Sequence, residues 1–434
     1  MIAIYTPYIN ARLKYVADYI FSDRLGLPFV LLKTGEVLPG NISAKLYYGC
    51  TGEGNHIAFE ASGLLEEEDI RQHVPELTLH HGTSVIFANH SMSGFDIFSA
   101  VFYCLSRYEE YVVKARDQHG RFSAANALMN KGGKLGEPLV DVWIAHLKQR
   151  LIQNCGIPET AFKKNIFSIQ PTLDIDSVFA YKGRPGFRQL AGFLKSAITF
   201  NGYEFGKRWQ VLNGGVNDPN DNFDRQLELL DRYGLKAVYF FQTGPYGRYD
   251  KNISPLHPHF RKIVQQIADK GHAIGLHPSY ASNSNAQQIA AEKNILEHIT
   301  GRPVTASRQH FLKFDLPHTF EALCSIGITD EYSMGYSDTP GFRASTAHAF
   351  KWFNLSKNEA TGLRIHPFSA MDVSYKQHGG MSSEEAIKSI RQQKALLKTN
   401  GSPFTFIFHN ESLSGHRGWQ NWDKVFETCL KHED

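Results

Sequence analysis

The sequence predicts an α/β protein in which a distorted (β/α)7 barrel over residues 161–434 follows a smaller α/β domain over residues 1–160. Three observations lead to this reading. A chain of 434 residues exceeds what one ordinary core organises, since domains run to roughly 100–200 residues, so two units are expected. From about Ile166 onward, apolar β-rich runs alternate with helical periodicity, the signature of parallel βαβ units, and seven such units fit a barrel better than an open sheet. The strands so defined end on polar residues, which is where a parallel barrel gathers its chemistry.

In chain order, β-rich runs at 2–5, 29–32, 45–48, 56–60 and 84–88 read as strands, and 95–111 as one amphipathic helix. Residues 117–122, Asp-Gln-His-Gly-Arg-Phe, form a polar turn, and 133–140 carry loop signals. No catalytic constellation is visible in this part. The later strands fall at 166–174, 236–242, 272–277, 304–309, 326–333, 363–369 and 403–409. Between them, Phe223, Leu227 and Leu230 share one helical face, as do Phe260, Ile263, Val264 and Ile267. A further helix over 384–398 carries Ile387 and Ile390. Residues 177–222 read as an insertion after the first barrel strand, placed to form a rim or lid or a plain surface excursion.

Composition narrows the function. A hydrophobic fraction of 42% excludes disorder, and a net charge of +3 gives no reason to expect nucleic acid or an anionic membrane as partner. A neutral or small ligand is the default. The first residues lack the pattern of a secretory leader, and no apolar run reaches the ~18 residues of a membrane span, so a cytoplasmic protein is expected. Five widely spaced cysteines without a CxxC pair suggest buried thiols in a reducing compartment. Neither a Gly-x-Ser-x-Gly elbow nor a phosphate-binding glycine loop is present, which argues against a serine hydrolase and a nucleotide-binding protein.

The polar strand ends carry the chemistry. Asp174 and Asp176 lie two apart on a strand and project to one face, where two like charges are costly without a cation between or beside them. The competing reading is a solvated loop with two helix-capping aspartates. His277 closes a buried strand; alone it could be a satisfied core histidine, but with the aspartates it completes a donor set suited to Zn²⁺ or a similar divalent ion. His409 ends the run Phe404-Thr-Phe-Ile-Phe and suits a proton donor, its competing role being simple packing. Arg308 could clamp a carboxylate or stand as a surface charge, and His310 could be a ligand, a substrate contact or neither. Tyr280, Gln309 and Tyr332, beside these strand ends, are the expected substrate contacts.

These motifs resemble the polysaccharide-deacetylase domain of the family-four carbohydrate esterases, including the nodulation-type chitooligosaccharide deacetylases, over residues 166–410. Thr172-Leu-Asp174-Ile-Asp176 resembles the first motif, His277-Pro-Ser-Tyr the second, Arg308 the third, Asp330-Glu-Tyr-Ser loosely the fourth and Ile407-Phe-His409 the fifth. The resemblance implies that Asp174 is the general base, Asp176 and His277 bind the metal, Arg308 tethers the base and His409 is the acid. The N-terminal part, through Ser106-Arg-Tyr-Glu-Glu110 and residues 117–122, resembles an uncharacterised domain that precedes such deacetylases in bacteria of the Bacteroidetes type.

Two departures stand out. The histidine that the second motif places four residues after the first is Ala281 here, and the adjacent aspartate pair is spread to Asp-x-Asp, a spacing associated with an atypical branch acting on peptidoglycan-like or small amide substrates. His310 or a water could fill the vacant ligand place. The alternative to a deacetylase is therefore a degenerate, non-catalytic carbohydrate-binding or regulatory module. Lys182, Arg184 and Arg188 could meet an anionic sugar or form a solvated basic loop.

Overall fold

The computed structural model describes residues 1–37, 42–52, 57–91, 93–283 and 285–432. The N-terminal part is built on four parallel strands, β1 (Ile2–Thr6), β2 (Phe29–Lys33), β3 (Ala44–Tyr48) and β4 (Ile57–Phe59), in the order β2-β1-β3-β4. Every residue of β1 is buried, as expected for the central strand of a parallel sheet covered on both faces. His56, part of the expected strand at 56–60, lies outside the described residues. The strand expected at 84–88 is instead half of a separate antiparallel pair, β5 (Thr78–His80) with β6 (Thr83–Val85).

The single helix expected over 95–111 is two helices, Ile97–Leu105 and Tyr108–Val112. Asp96 caps the first by accepting from the Ser99 backbone N–H at 3.0 Å. The break falls at Arg107, which has a left-handed φ of 55°. Its buried guanidinium donates to Glu110 at 2.8 Å and Glu109 at 2.7 Å, and Glu110 also takes two bonds from Arg343, over two hundred residues away. That charge cluster outweighs the local helical pattern. Similarly, residues 139 and 140 of the expected 133–140 loop already belong to the helix Leu139–Cys155.

The C-terminal part is one nine-stranded sheet. Its strands are β7 (Ile169–Ile175), β8 (Val238–Phe241), β9 (Ala273–Leu276), β10 (Ala306–Ser307), β11 (Asp330–Glu331), β12 (Phe350–Asn354), β13 (Glu359–Ile365), β14 (Ala370–Met371) and β15 (Phe404–His409). The order is β12-β13-β11-β10-β9-β8-β7-β15-β14, with every neighbour parallel except β12 against β13. Seven of the nine correspond to expected strands. The one expected at 363–369 is displaced to β13, and β12 and β14 were not anticipated. β12 is the outer arm of a hairpin, so no helix precedes its partner. The ladder shows a large mixed α/β sheet; it does not show closure between β12 and β14.

Helices Phe223–Arg232, Pro258–Asp269 and Ser383–Thr399 occupy the expected places. The last begins with a capping box, Ser382 and Glu385 each binding the other's backbone N–H. The insertion folds into helices Gly186–Ile198 and Gly202–Leu212. One continuous apolar core joins both parts of the chain, with Phe353 of β12 packed on Tyr15 and Phe102 at ring distances of 5.1 and 5.0 Å. Only Cys104 and Cys429 of the five cysteines are buried; Cys324 is exposed, so the buried-thiol expectation holds in part, and no disulfide joins any pair. Among the described residues, no helix is long and apolar enough to cross a membrane.

Candidate active site

Strand register brings the site together. β7 and β15 pair so that Asp174 lies directly beside His409, and in a parallel ladder registered neighbours project to the same face. Leu276 of β9 is registered with Ser307 of β10, so His277 and Arg308 follow at adjacent strand ends. Residues more than two hundred positions apart in the chain thereby line one cavity of about 380 Å³, walled by Asp174, Asp176, His277, His310 and His409.

Arg308 is fully buried and donates from Nη1 to Asp174 Oδ1 at 2.7 Å and from Nε to the Tyr332 carbonyl at 3.0 Å. Asp174 is therefore held as an oriented carboxylate. His409 is fixed from behind by Asp372, which accepts from its Nδ1 at 2.8 Å and from its backbone N–H at 2.7 Å. Burial alone would lower the pKa of the His409 imidazole, but the Asp372 carboxylate, helped by Asp176 and Asp174, holds it well above the usual histidine range. His409 is thus kept as a proton carrier with its Nδ1 occupied.

Asp176, His277 and His310 each offer one ligand atom, all within 4.8 Å of one another. His277 Nδ1 sits 2.6 Å from the Arg308 carbonyl, which can only accept, so Nδ1 carries a proton and Nε2 is turned toward Asp176. Nε2 stands 3.2 Å from Asp176 Oδ1, a buried oxygen without a well-formed hydrogen bond. An imidazole nitrogen facing an unpartnered carboxylate oxygen at that separation is a donor set that fits a divalent ion. His310 approaches Asp176 Oδ2 at 3.5 Å while its Nδ1 lies 2.9 Å from Asp250, whose carboxylate also accepts from Gln242 at 2.8 Å. Burial opposes charge on His310, but Asp176 and Asp250 outweigh it and raise its pKa to about 9. A pocket that stabilises a proton so strongly is one a divalent cation can occupy instead. Carboxylate–histidine pairs of this kind set the tautomer of metal ligands.

Ala281 offers no ligand atom, and His310, from a different strand end, brings a third beside those of Asp176 and His277. Among the expected substrate contacts, Gln309 lines the cavity and its backbone N–H is held by Ser333 Oγ at 2.8 Å. Tyr332 does not line it: its ring stacks on His366 at 4.2 Å and packs against Phe240. Tyr280 also lies off the lining, in an aromatic group with Tyr249 and Phe311, where its hydroxyl meets His119 at 3.1 Å. Lys182, Arg184 and Arg188 are absent from the lining as well.

Several residues escaped the sequence. Asp250, Gln242 and Asp372 anchor imidazoles from behind and carry no local motif. The N-terminal part, in which no constellation was expected, sends Gln118, His119 and Arg121 into the cavity wall, with Arg121 donating to the Phe311 carbonyl at 2.9 Å. The polar turn at 117–122 was the available signal.

Residues 2–155 match the model of a family of unknown function, DUF7033. No curated protein matches the chain. Several solved structures are similar to it. One is a Mycobacterium smegmatis protein assigned as a polysaccharide deacetylase, with 14% identity and a TM-score of 0.40 over 62% of this chain and 84% of that one. Another is a polysaccharide deacetylase from Bacillus cereus, with 11% identity and a TM-score of 0.30 over 61% and 86%. A CE4 family pseudoenzyme from Bacillus anthracis matches at 10% identity and 0.30 over 65% and 77%.

Proposed function

We propose that this chain is a metal-dependent hydrolase of a non-peptide amide bond, removing the acetyl group from an N-acetylated amino sugar or polysaccharide. The observation that carries this reading is the convergence of Asp176, His277 and His310 on one ligand-sized space beside a clamped carboxylate and a clamped imidazole. When bound there, a divalent cation such as Zn²⁺ would polarise the acyl carbonyl and ease deprotonation of water. Asp174, its Oδ1 engaged by Arg308, takes the proton from the attacking water at its other oxygen. His409 Nε2 then gives a proton to the leaving amine, its orientation fixed because Nδ1 is committed to Asp372. Gln309, Gln118 and His119 line the space where the sugar would sit.

The same reading takes 161–434 as the catalytic domain, its sheet curling toward a distorted barrel, and 1–160 as an accessory domain that completes the cavity wall. A binding module drew its motive from Ala281, and His310 supplies the third side chain that Ala281 does not. The test is acetate release from N-acetylated chitooligosaccharides by the purified chain, with and without a chelator, beside Asp174→Asn. Release that needs the ion and vanishes in the variant is expected. No release by the zinc-loaded protein, or full release by Asp174→Asn, would overturn the assignment.

A further inference from the structure

The two helices of the insertion expose an apolar surface that the proposed chemistry does not use. Phe187, Leu190, Leu194 and Ile198 recur at three- and four-residue spacing along helix Gly186–Ile198, which places them on one face, and each is more than half exposed. The other side of that helix is satisfied: Phe193 packs on Phe205 at a ring distance of 5.0 Å, and Ser196 is buried. Phe200, 94% exposed, follows the helix end, and Trp209 of the second helix, 58% exposed, packs edge-on against Phe193 at a ring distance of 6.5 Å. So large a cluster is far from the scattered single apolar residues of an ordinary surface.

Its charge is as uneven as its hydropathy. Residues 182–212 contain Lys182, Arg184, Arg188, Lys195, Lys207 and Arg208 against one acid, Glu204, whereas the whole chain carries only +3; Arg208 is buried over the Tyr181 and Phe193 rings, which leaves the other five for the surface. That acid is spent internally, since its carboxylate takes bonds from Arg417 at 2.8 and 3.0 Å and from the Tyr181 hydroxyl at 2.9 Å. Arg188 lies over the half-exposed ring of Tyr246 at 3.5 Å. An apolar stripe with aromatic residues and a surplus of cationic side chains is the pattern of a helix lying in a bilayer interface rather than spanning it.

From this we infer that the projection formed by 182–212 docks the protein on an anionic lipid surface. Neither the lack of a membrane-spanning helix among the described residues nor the small total charge bears on such a local patch. Charge complementarity selects the occupant: a second copy would bring like charge against like, whereas anionic headgroups neutralise the cationic residues while the acyl region receives the apolar stripe. The segment that leads into the projection is tied to the end of β15, because Asn410 Nδ2, just after His409, donates to the Ser177 carbonyl at 2.9 Å.

The test is co-sedimentation of the full chain with phosphatidylcholine vesicles and with mixed phosphatidylcholine–phosphatidylglycerol vesicles, beside a sizing measurement without lipid. Strong partitioning to the mixed vesicles alone is expected, weakening as salt rises. Arg188→Ser with Lys195→Ser should weaken it about thirtyfold, at roughly fivefold per cationic side chain. Leu190→Glu with Leu194→Glu, at exposed positions, should abolish it while leaving the melting temperature unchanged. No partitioning to the mixed vesicles, equal partitioning by the Glu variant, or a dimer without lipid that the Glu variant dissociates would each overturn the inference.

Discussion

Replacing Arg308 with methionine tests whether the site is held by a buried ion pair. The guanidinium is fully buried and its partner carboxylate nearly so, at a separation of 2.7 Å, so water screens the pair little. With charge centres near 4 Å and an effective dielectric of about 20, their attraction is about 4 kcal/mol, part of which offsets the cost of desolvating both groups. Methionine keeps much of the volume that packs over Phe240, where the guanidinium now lies 4.5 Å from the ring centre, but leaves the buried Asp174 without its hydrogen-bonded counter-charge. Loss of one member of such a pair typically costs about 3–5 kcal/mol. Urea unfolding at neutral pH should show a loss in that range for Arg308→Met. Asp174→Asn in the methionine background should recover part of it, because the stranded charge is then gone. A single variant within about 1 kcal/mol of the parent, or a double variant no more stable than the single, would refute the claim that the pair is electrostatically coupled.

Three further outcomes are expected. Asp372→Asn removes the main charge that raises the His409 pKa, so the protonated form, present below the folded pKa and lost above it, should vanish at lower pH; the basic limb of the kcat/KM profile then moves to the acid side, and an unmoved limb rejects His409 as the acid. Asp250→Asn should weaken metal binding about 10–100-fold, read by competition with a chromophoric chelator, because His310 loses the carboxylate that fixes its Nδ1 proton; undiminished affinity would place the metal elsewhere. Burial would raise the pKa of Glu110, but Arg343 and Arg107 lower it to about 2, so its contribution is full above the ordinary carboxylate value and lost as pH falls from about 4.5 to about 2; Glu110→Gln should be destabilised at neutral pH and lose that deficit in acid, measured by denaturant midpoints across pH.

The sequence by itself determined the α/β class, the approximate positions of seven strands and several polar residues that the fold brings to one cavity. The reason is local: parallel strands buried on both faces must be apolar along their length, so a run such as 404–408 is legible, and the polar residue that ends it stands out as an exception. A strand of two residues, such as β14, or the hairpin arm β12, leaves no such period to read. The helix break at Arg107 was hidden for a different reason, since it depends on Arg343 and Glu110 meeting across the fold. Only tertiary structure decided which polar residues share the cavity. Tyr280 and Tyr332 flank these strand ends but point into packing, while Asp250 reaches the site from a loop, Asp372 from the helical turn that follows β14, and the turn at 117–122 from the other part of the chain. Side-chain direction at a strand end is local information; convergence of separate ends is set by register and loop path, which no single segment encodes.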